Sequence, residues 1–248
     1  MGFRLALVTG ATSGIGRALV ELLRAQQLCV LATGRNIQAL EELKKIGAEV
    51  LAHDLTQGSK PVLQIIEQRV PDLVIHAAGF GYYGVTTQQT LPLAYQMLQV
   101  HVQAALEITL AAAETLQKHQ QQGVILHLSS FAADLPTPGM AMYGASKACL
   151  THLCQSLDFE LAPQGIRVLV TCPGMVVTPF VTRAAQRPFQ HGAFVMSAQQ
   201  AAEKIWKQIN KRKTKTIIDW KYKILHLLLP FIPNFWLSQI FWRNVSKR

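Results

Sequence analysis

Tyr143 and Lys147 are four positions apart in the sequence, and Ser130 lies thirteen positions before the tyrosine. On one helix the first two side chains would share a face, where a nearby ammonium group favours the ionised form of a phenol. Such help matters because a free tyrosine has a pKa of about 10 and is too weak an acid to transfer protons quickly near neutral pH. A serine hydroxyl can hydrogen-bond an oxygen on which negative charge develops. These residues predict proton transfer at a carbonyl oxygen, with a helix-surface pair and a strand-end turn as the simpler alternatives.

A glycine-rich turn near the start of the chain is a candidate anion site. It follows an apolar run over residues 3–8, which is typical of a buried strand, and leads into apolar residues at helical spacing. A helix that begins directly after such a turn presents free N–H groups and its positive dipole end to an anion such as a pyrophosphate. An ordinary turn of small residues is the alternative. The residues of the turn that would contact the anion are Gly10, Thr12, Ser13, Gly14, Ile15 and Gly16.

The glycine turn, Ser130 and the Tyr143-x-x-x-Lys147 pair together resemble the short-chain dehydrogenase/reductase family, over about residues 5–179. The resemblance implies hydride transfer between a nicotinamide cofactor and a carbonyl or alcohol. Tyr143 would then exchange the proton, Ser130 would hydrogen-bond the carbonyl, and Lys147 would also hold the nicotinamide ribose. Further cofactor contacts implied by the family pattern are Ala78, Gly79, Pro173, Gly174, Val176 and Thr178.

The end of the second predicted strand indicates which cofactor is used. NAD-binding folds carry a carboxylate there for the ribose 2′-hydroxyl, and an arginine suits a 2′-phosphate better. Gly34 stands at that position and Arg35 follows it. We therefore predict NADP(H), with Thr33 and Arg35 around the phosphate, although an exposed arginine at the head of a surface helix is the simpler interpretation. The family pattern also places Asp54, followed by Leu55, beside the adenine.

Two positions depart from the family pattern. His101 stands where these enzymes usually carry an asparagine that binds a water in the proton relay. The segment over residues 75–79 reads Ile-His-Ala-Ala-Gly, where the family usually has Asn-Asn-Ala-Gly. Histidine can carry protons near neutral pH, so His101 is a candidate for the relay. A lone histidine on an apolar helix is more often a core residue with satisfied hydrogen bonds, and this alternative stays open. His76 is expected to be structural.

The segment after Thr178 is expected to form a mobile lid that reaches Met196. Its apolar side chains suggest a hydrophobic carbonyl substrate or the corresponding alcohol, such as a lipid, a fatty-acyl derivative or a sterol-like ketone. Packing alone could account for the same side chains. They are Phe180, Phe189, Phe194 and Met196.

Strand-like and helix-like segments alternate along the chain, which favours an α/β fold. We predict a Rossmann-type doubly wound parallel sheet of about seven strands in a single domain. Residues 1–213 would form the catalytic part, and residues 214–248 would add the last strand, near 216–218, and a tail. Helices are expected near residues 14–26, 36–46, 61–68, 92–119, 143–162 and 198–212. The fourth and fifth of these commonly pair across a dimer in the family, which implies a homodimer or homotetramer.

With 248 residues, half of them apolar, the chain can form one sizeable core. The four cysteines show no spacing typical of a metal site or a disulfide framework. The sequence enters the first predicted strand without a signal-peptide pattern, so we expect a cytoplasmic protein.

The tail carries almost all of the net charge. Residues 203–248 hold eleven Lys and Arg against two acidic residues, a net charge of +9 out of +10 for the chain. Residues 224–242 are uncharged and strongly apolar, yet prolines and polar residues argue against one membrane-spanning helix. Two amphipathic pieces on an anionic membrane surface are one interpretation, and a tail folded over the pocket or a partner subunit is the other. No element that could read nucleic acid accompanies the charge.

Two functions compete with an active reductase. A protein that binds NADP(H) without turnover would explain His101 and the altered glycine segment, whereas the intact Ser130, Tyr143 and Lys147 favour catalysis. A scaffold docked on a membrane by its tail is the other alternative.

Overall fold

The computed structural model describes residues 2–84, 86–185, 195–233 and 235. Its main sheet has seven parallel strands, which confirms the predicted doubly wound α/β fold. In chain order these strands are β1 (Leu5–Thr9), β2 (Cys29–Gly34), β3 (Glu49–Ala52), β4 (Leu73–His76), β5 (Gly123–Leu128), β6 (Ile166–Cys172) and β9 (Lys215–Ile217). Their spatial order is β3-β2-β1-β4-β5-β6-β9. The short strands β7 (Val176–Val177) and β8 (Met196–Ser197) pair separately.

Helices cover both faces of the sheet. They are α1 (Gly14–Ala25), α2 (Ile37–Lys45), α3 (Lys60–Arg69), α4 (Leu91–Leu98), α5 (Ala104–Lys118), α6 (Ala141–Leu161), α7 (Pro179–Ala185), α8 (Ala198–Lys211) and α9 (Trp220–Leu228). Successive side chains of a strand point to opposite faces, so each strand contributes to two apolar cores. One core lies against α1 and α8, and the other lies against α3, α5 and α6.

The strand order reverses between β1 and β4, and this is where an open α/β sheet binds its ligands. Thr9 at the end of β1 is in register with Thr33 of β2 on one side and with His76 of β4 on the other. His76 is in register with His127 of β5. The residues expected to be functional follow these strand ends, so the topology brings them to one edge of the sheet.

The predicted helix over 92–119 is wrong in one respect, because a π-helical segment, Gln99–Gln103, separates α4 from α5. The small β7-β8 sheet, α7 and α9 are additions to the predicted elements. Phe189 and Phe194 of the expected lid, and most of the apolar tail beyond residue 233, lie outside the described residues. Among the helices of the described ranges, none combines the length and the apolar character needed to cross a bilayer.

Candidate active site

The glycine turn joins β1 to α1 and leaves the start of that helix open. Gly10 and Gly14 have φ angles of 65° and 55°, in the left-handed region that favours glycine. A Cβ atom on Gly10 would lie 2.7 Å from the backbone of Ala78, so the close approach also requires the missing side chain. Ser13 makes no side-chain hydrogen bond at the start of α1, and the first turn has no acidic residue. The uncapped N–H groups and the helix dipole therefore suit the phosphates of a dinucleotide.

The ends of β2 and β3 bring the predicted ribose and adenine contacts together. A Cβ atom at Gly34 would lie 2.6 Å from Cγ2 of Thr12, so a larger residue there would require the Thr12 side chain to shift. The Nη1 atom of Arg35 is 3.4 Å from Oδ2 of Asp54. The other carboxylate oxygen of Asp54 accepts the N–H of Thr56 at 3.0 Å. At this corner the guanidinium of Arg35 is half-exposed, and the carboxylate of Asp54 is held in place by its hydrogen bond from Thr56.

A cavity of about 350 Å³ lies between the glycine turn, α2 and the start of α7. Arg183 of α7 lines it, and so does Arg17 of α1, whose guanidinium binds Glu21 at 2.9 Å and Glu42 at 2.7 Å. Arg183 is a cationic wall residue that the sequence argument missed, because no spacing rule links α7 to the glycine turn. The remaining lining residues are Thr12, Ser13, Gly14, Asn36, Gln38, Ala39, Glu42 and Pro179. Of the other predicted contacts, Thr33 is buried near the end of β2, and Leu55 is buried in the short 3-10 turn that follows β3.

Ser130 and Tyr143 meet beyond the end of β5. Ser130 begins a short 3-10 turn, where its Oγ atom accepts the N–H of Ala132 at 3.1 Å. Tyr143 lies in the first turn of α6 and is buried. Burial raises the pKa of Tyr143 to about 12, although its hydrogen bond with Ser130 acts in the opposite direction. The phenol is therefore protonated at neutral pH, whereas the sequence argument expected its ionised form to be favoured.

Lys147 lies on the same side of α6 as Tyr143, as the four-residue spacing predicts. Its Nζ atom is 5.8 Å from the centre of the tyrosine ring and donates a hydrogen bond of 2.7 Å to the carbonyl oxygen of Leu128. Burial lowers the pKa of Lys147 to about 8, so its ammonium group begins to lose its proton close to physiological pH. Gly79 borders this group, since a Cβ atom there would be 3.5 Å from Nζ.

His101 lies inside the π-helical segment and is fully buried. Its Nε2 atom accepts the N–H of Phe80 at 3.1 Å, so the neutral ring carries its proton on Nδ1. That nitrogen donates to Oγ of Ser146 at 2.8 Å, and the serine in turn donates to the carbonyl oxygen of Tyr143 at 2.8 Å. Burial holds the pKa of His101 well below its usual range. His101 thus connects the segment after β4 to the first turn of α6.

Two further histidines are buried behind the lysine. His76 accepts a hydrogen bond from Thr9 at 3.0 Å and donates to the carbonyl oxygen of Val100 at 3.0 Å. His127 donates to Oγ1 of Thr109 at 2.8 Å, and its Nδ1 atom has no hydrogen-bond partner within the described part of the protein. Burial lowers the pKa of His76 to about 4 and holds that of His127 well below the usual range. Both rings are therefore neutral structural groups at the sheet edge.

The loop after β6 closes the other side of the site. It contains Pro173 and Gly174 and continues through Val176 of β7 to Thr178. A Cβ atom on Gly14 would be 3.0 Å from the side chain of Thr178, so this loop reaches the glycine turn.

α7 follows that loop and covers the tyrosine. The ring of Phe180 lies 5.4 Å from the ring of Tyr143, and Ala184 accepts the N–H of Tyr83 at 2.9 Å. A Cβ atom on Gly81 would be 2.8 Å from the Phe180 ring. The first part of the expected lid is thus a short helix that places an apolar side chain against the Tyr143 ring.

α9 holds the loop after β6 from outside, through a contact that the sequence did not indicate. The Tyr222 ring lies directly on Gly174, where a Cβ atom would collide with it. The hydroxyl of Tyr222 accepts the N–H of Met175 at 3.3 Å. The same ring meets Phe131, next to Ser130, with 4.9 Å between ring centres. One side chain therefore contacts both loops that flank the site.

The chain matches the family model for short chain dehydrogenases over residues 4–188. An uncharacterized oxidoreductase of Staphylococcus epidermidis is 34% identical to this chain. The alignment covers 71% of this chain and 79% of that protein. Two solved structures are similar in fold and sequence. A short-chain dehydrogenase from Sphingobium yanoikuyae in complex with NADPH matches with a TM-score of 0.79 and 26% identity, covering 86% of this chain and 87% of its own. A bulky-bulky ketone specific alcohol dehydrogenase from Comamonas testosteroni matches with a TM-score of 0.75 and 25% identity, covering 88% and 87%.

Proposed function

The chain belongs to the short-chain dehydrogenase/reductase family, and within it we propose that the protein is an NADPH-dependent reductase of hydrophobic carbonyl compounds, or oxidises the corresponding secondary alcohols. The family membership makes it an NAD(P)-dependent oxidoreductase. The observation that carries the finer proposal is geometric: Tyr143 is buried in the first turn of α6, and Nζ of Lys147 lies 5.8 Å from the centre of its ring.

In the reductive direction, Tyr143 donates its phenolic proton to the substrate oxygen while Ser130 hydrogen-bonds the same oxygen. A pKa of about 12 keeps this phenol in the acid form that reduction needs. Lys147, with a pKa of about 8, is largely charged at neutral pH and stabilises the phenolate left after proton transfer. A bound nicotinamide supplies the hydride. The glycine turn and the 173–178 loop would hold that cofactor.

The preference for NADPH rests on one corner of the site. Gly34 leaves no acid to repel a 2′-phosphate, and Arg35, which follows it, has a half-exposed guanidinium 3.4 Å from Asp54. Arg183 adds a second cation to the adjoining cavity. The NADPH in the Sphingobium protein supports the same choice.

The proposal of an apolar substrate rests on the wall next to the tyrosine. The side chains of Phe180, Ala184 and Met140 approach Gly81, and the Phe180 ring also lies against Tyr143. Such walls bind a substrate through its apolar surface and leave orientation to a few polar groups, here Ser130 and Tyr143. The ketone specificity of the Comamonas enzyme supports this class of substrate.

Turnover of NADPH with a panel of apolar aldehydes and ketones tests the activity. We expect Tyr143→Phe to lower turnover by about a thousandfold, because it removes only the proton donor, and to change NADPH affinity by less than about twofold. Tyr95→Phe, on the exposed surface of α4, is the matched control. Substantial activity in Tyr143→Phe would disprove the assigned role. If the wild type binds NADPH and turns over no substrate of the panel, the alternative of a cofactor-binding protein without activity is favoured.

The cofactor preference has its own test. We expect Arg35→Ala to weaken NADPH binding by about 1.5 kcal/mol, roughly tenfold, because the guanidinium is exposed enough for water to screen part of the interaction. NADH affinity should stay the same, since NADH has no 2′-phosphate. Fluorescence titration of both cofactors measures this difference. Equal wild-type affinities for the two cofactors would rule out the proposed preference.

The homodimer or homotetramer and the cytoplasmic location stay predictions. Contact with a membrane surface is a separate proposal, because it depends on the exposed face of α9 and not on turnover.

A further inference from the structure

α9 is apolar on two opposite sides, and only one of them has a partner in the described part of the protein. The inner side packs against the body of the protein through Tyr222 and through Leu229, which follows the helix. None of the nine residues of α9 is buried. The inner contact therefore fixes the position of the helix and leaves the opposite side facing outward.

The outer side of α9 carries a continuous apolar stripe. Trp220, Ile224, Leu227 and Phe231 are spaced by three or four residues, so they lie along one face of the helix and the 3-10 turn that follows it. Their exposed fractions are 62%, 49%, 69% and 83%. Leu228 beside them is 51% exposed. A contiguous apolar stripe of this kind is typical of a surface that binds another partner.

The charge around the stripe indicates what that partner is. Between residues 220 and 235 the sequence contains two lysines and no Asp, Glu or Arg. Lys221 and Lys223 belong to α9 itself, and the ammonium group of Lys221 lies 5.9 Å from the Trp220 ring. Apolar and aromatic side chains flanked by lysine are the pattern of a helix that lies in the headgroup region of an anionic bilayer.

We propose that the outer stripe of α9 docks on the surface of an anionic lipid bilayer, with the helix parallel to the membrane. A second copy of the chain fits this surface less well. A twofold interface brings two identical patches together, and between residues 220 and 235 the sequence has no Asp or Glu that could pair with the lysines of the other copy.

Docking would place the active site close to the lipid. The Tyr222 ring, on the inner side of the same helix, lies on Gly174 of the loop that closes the site. The helix would therefore touch the bilayer with one side and the catalytic loops with the other. The docking itself does not depend on turnover.

Flotation of the full-length protein with lipid vesicles tests the proposal. We expect binding to phosphatidylcholine vesicles that contain about one third phosphatidylglycerol, and much weaker binding to pure phosphatidylcholine, because lysine is attracted to anionic headgroups. The variant Leu227→Gln/Phe231→Gln removes two side chains of the stripe. It should lower the vesicle-bound to free ratio by at least about tenfold. Ile37→Gln/Leu91→Gln, which changes two exposed apolar residues on α2 and α4, is the matched control and should bind like the wild type.

Lys223→Glu should also reduce binding to anionic vesicles, whereas Lys60→Glu on α3 should not. Circular dichroism and NADPH binding show whether each variant is folded. Absence of wild-type binding to anionic vesicles overturns the proposal, and so does a folded Leu227→Gln/Phe231→Gln variant that still binds fully. If that variant instead dissociates an oligomer while no form binds vesicles, a second copy covers the stripe. An inactive enzyme that still floats leaves the docking proposal standing and refutes only the reductase.

Discussion

At the scale of single residues, burial decides the protonation of the site. Tyr143 and Lys147 both lose water, which raises the pKa of the phenol and lowers that of the ammonium. The sequence predicted which residues meet, because a four-residue spacing places two side chains on one helix face. It did not predict the protonated phenol, since burial depends on residues distant in sequence, such as Phe180 of α7. The direction of the pKa shift is therefore a property of the folded site.

The two hydrogen bonds of His101 change what its replacement should do. A leucine would leave the part-buried N–H of Phe80 without its partner, which costs about 1 to 3 kcal/mol, whereas Ser146 would keep its hydrogen bond to the carbonyl oxygen of Tyr143. We therefore expect His101→Leu to destabilise the protein. His101→Asn keeps an acceptor for the Phe80 N–H and should be less destabilising.

Turnover separates a role in the site from a role in stability. If His101 orients Tyr143 through Ser146, or serves the proton relay, His101→Leu should reduce turnover more strongly than His101→Asn when both are assayed below their unfolding temperatures. The leucine variant should also have an altered pH profile, because the proton path would lose a polar group. Steady-state rates across the neutral pH range measure both effects. A folded leucine variant at least as active as the asparagine variant would exclude either role.

At the scale of elements, the sequence did not predict the elements that depend on tertiary contacts, because the spacing of apolar residues does not mark them. The π-helical segment interrupts a stretch whose apolar residues continue at helical spacing on both sides, so no local signal marks it. From the sequence, α9 is only the beginning of an apolar tail. Its inner and outer sides differ because one of them packs against the loops of the site, and the sequence does not indicate that contact. By contrast, the strands of the main sheet were predictable, because short apolar runs alternate with helical periods.

Tyr222 makes α9 a positioning element for the site, and its removal tests this. Tyr222→Ala would take away the ring that lies between Gly174 and Phe131, so we expect turnover to fall by about tenfold or more and the free energy of unfolding to fall by about 2 kcal/mol. Tyr222→Phe keeps the ring and loses only the long hydrogen bond to Met175, so it should restore most of the activity. Tyr95→Ala on α4 controls for loss of an exposed ring. A Tyr222→Ala variant that unfolds earlier but keeps full turnover at 25 °C would show that the contact is only structural.

At the scale of the whole molecule, the sheet edge that supports the site is held by neutral histidines. His76 and His127 are paired across β4 and β5, with ring centres 5.6 Å apart, and His101 meets Tyr143 edge to face. The composition of the chain does not reveal this, because eight histidines would usually be scattered over the surface. Three buried histidines connect the stability of the fold to pH, and the direction follows from their pKa values.

We expect the protein to lose stability as the pH falls from about 6.5 towards 4. Burial lowers the pKa of all three histidines, to about 4 for His76, so the folded state keeps them neutral. In the unfolded chain they take up protons near pH 6.5, and because the unfolded state then binds more protons, the free energy of unfolding decreases with falling pH. Each histidine contributes at most about 1.4 kcal/mol per pH unit. Urea unfolding over this pH range measures the slope.

One histidine can be removed to check that assignment. His127→Leu should reduce the slope of the unfolding free energy against pH by the contribution of about one proton. The reason is that it deletes one group whose pKa differs between the folded and unfolded states. The cost at neutral pH should be small, since one ring nitrogen of His127 has no hydrogen-bond partner among the described residues and Thr109 keeps its bond to the carbonyl oxygen of Ala105. His152→Gln on the exposed side of α6 is the control and should leave the slope unchanged. If His127→Leu and the wild type have the same slope, His127 is not kept neutral by the fold, and the acid sensitivity must come from other groups.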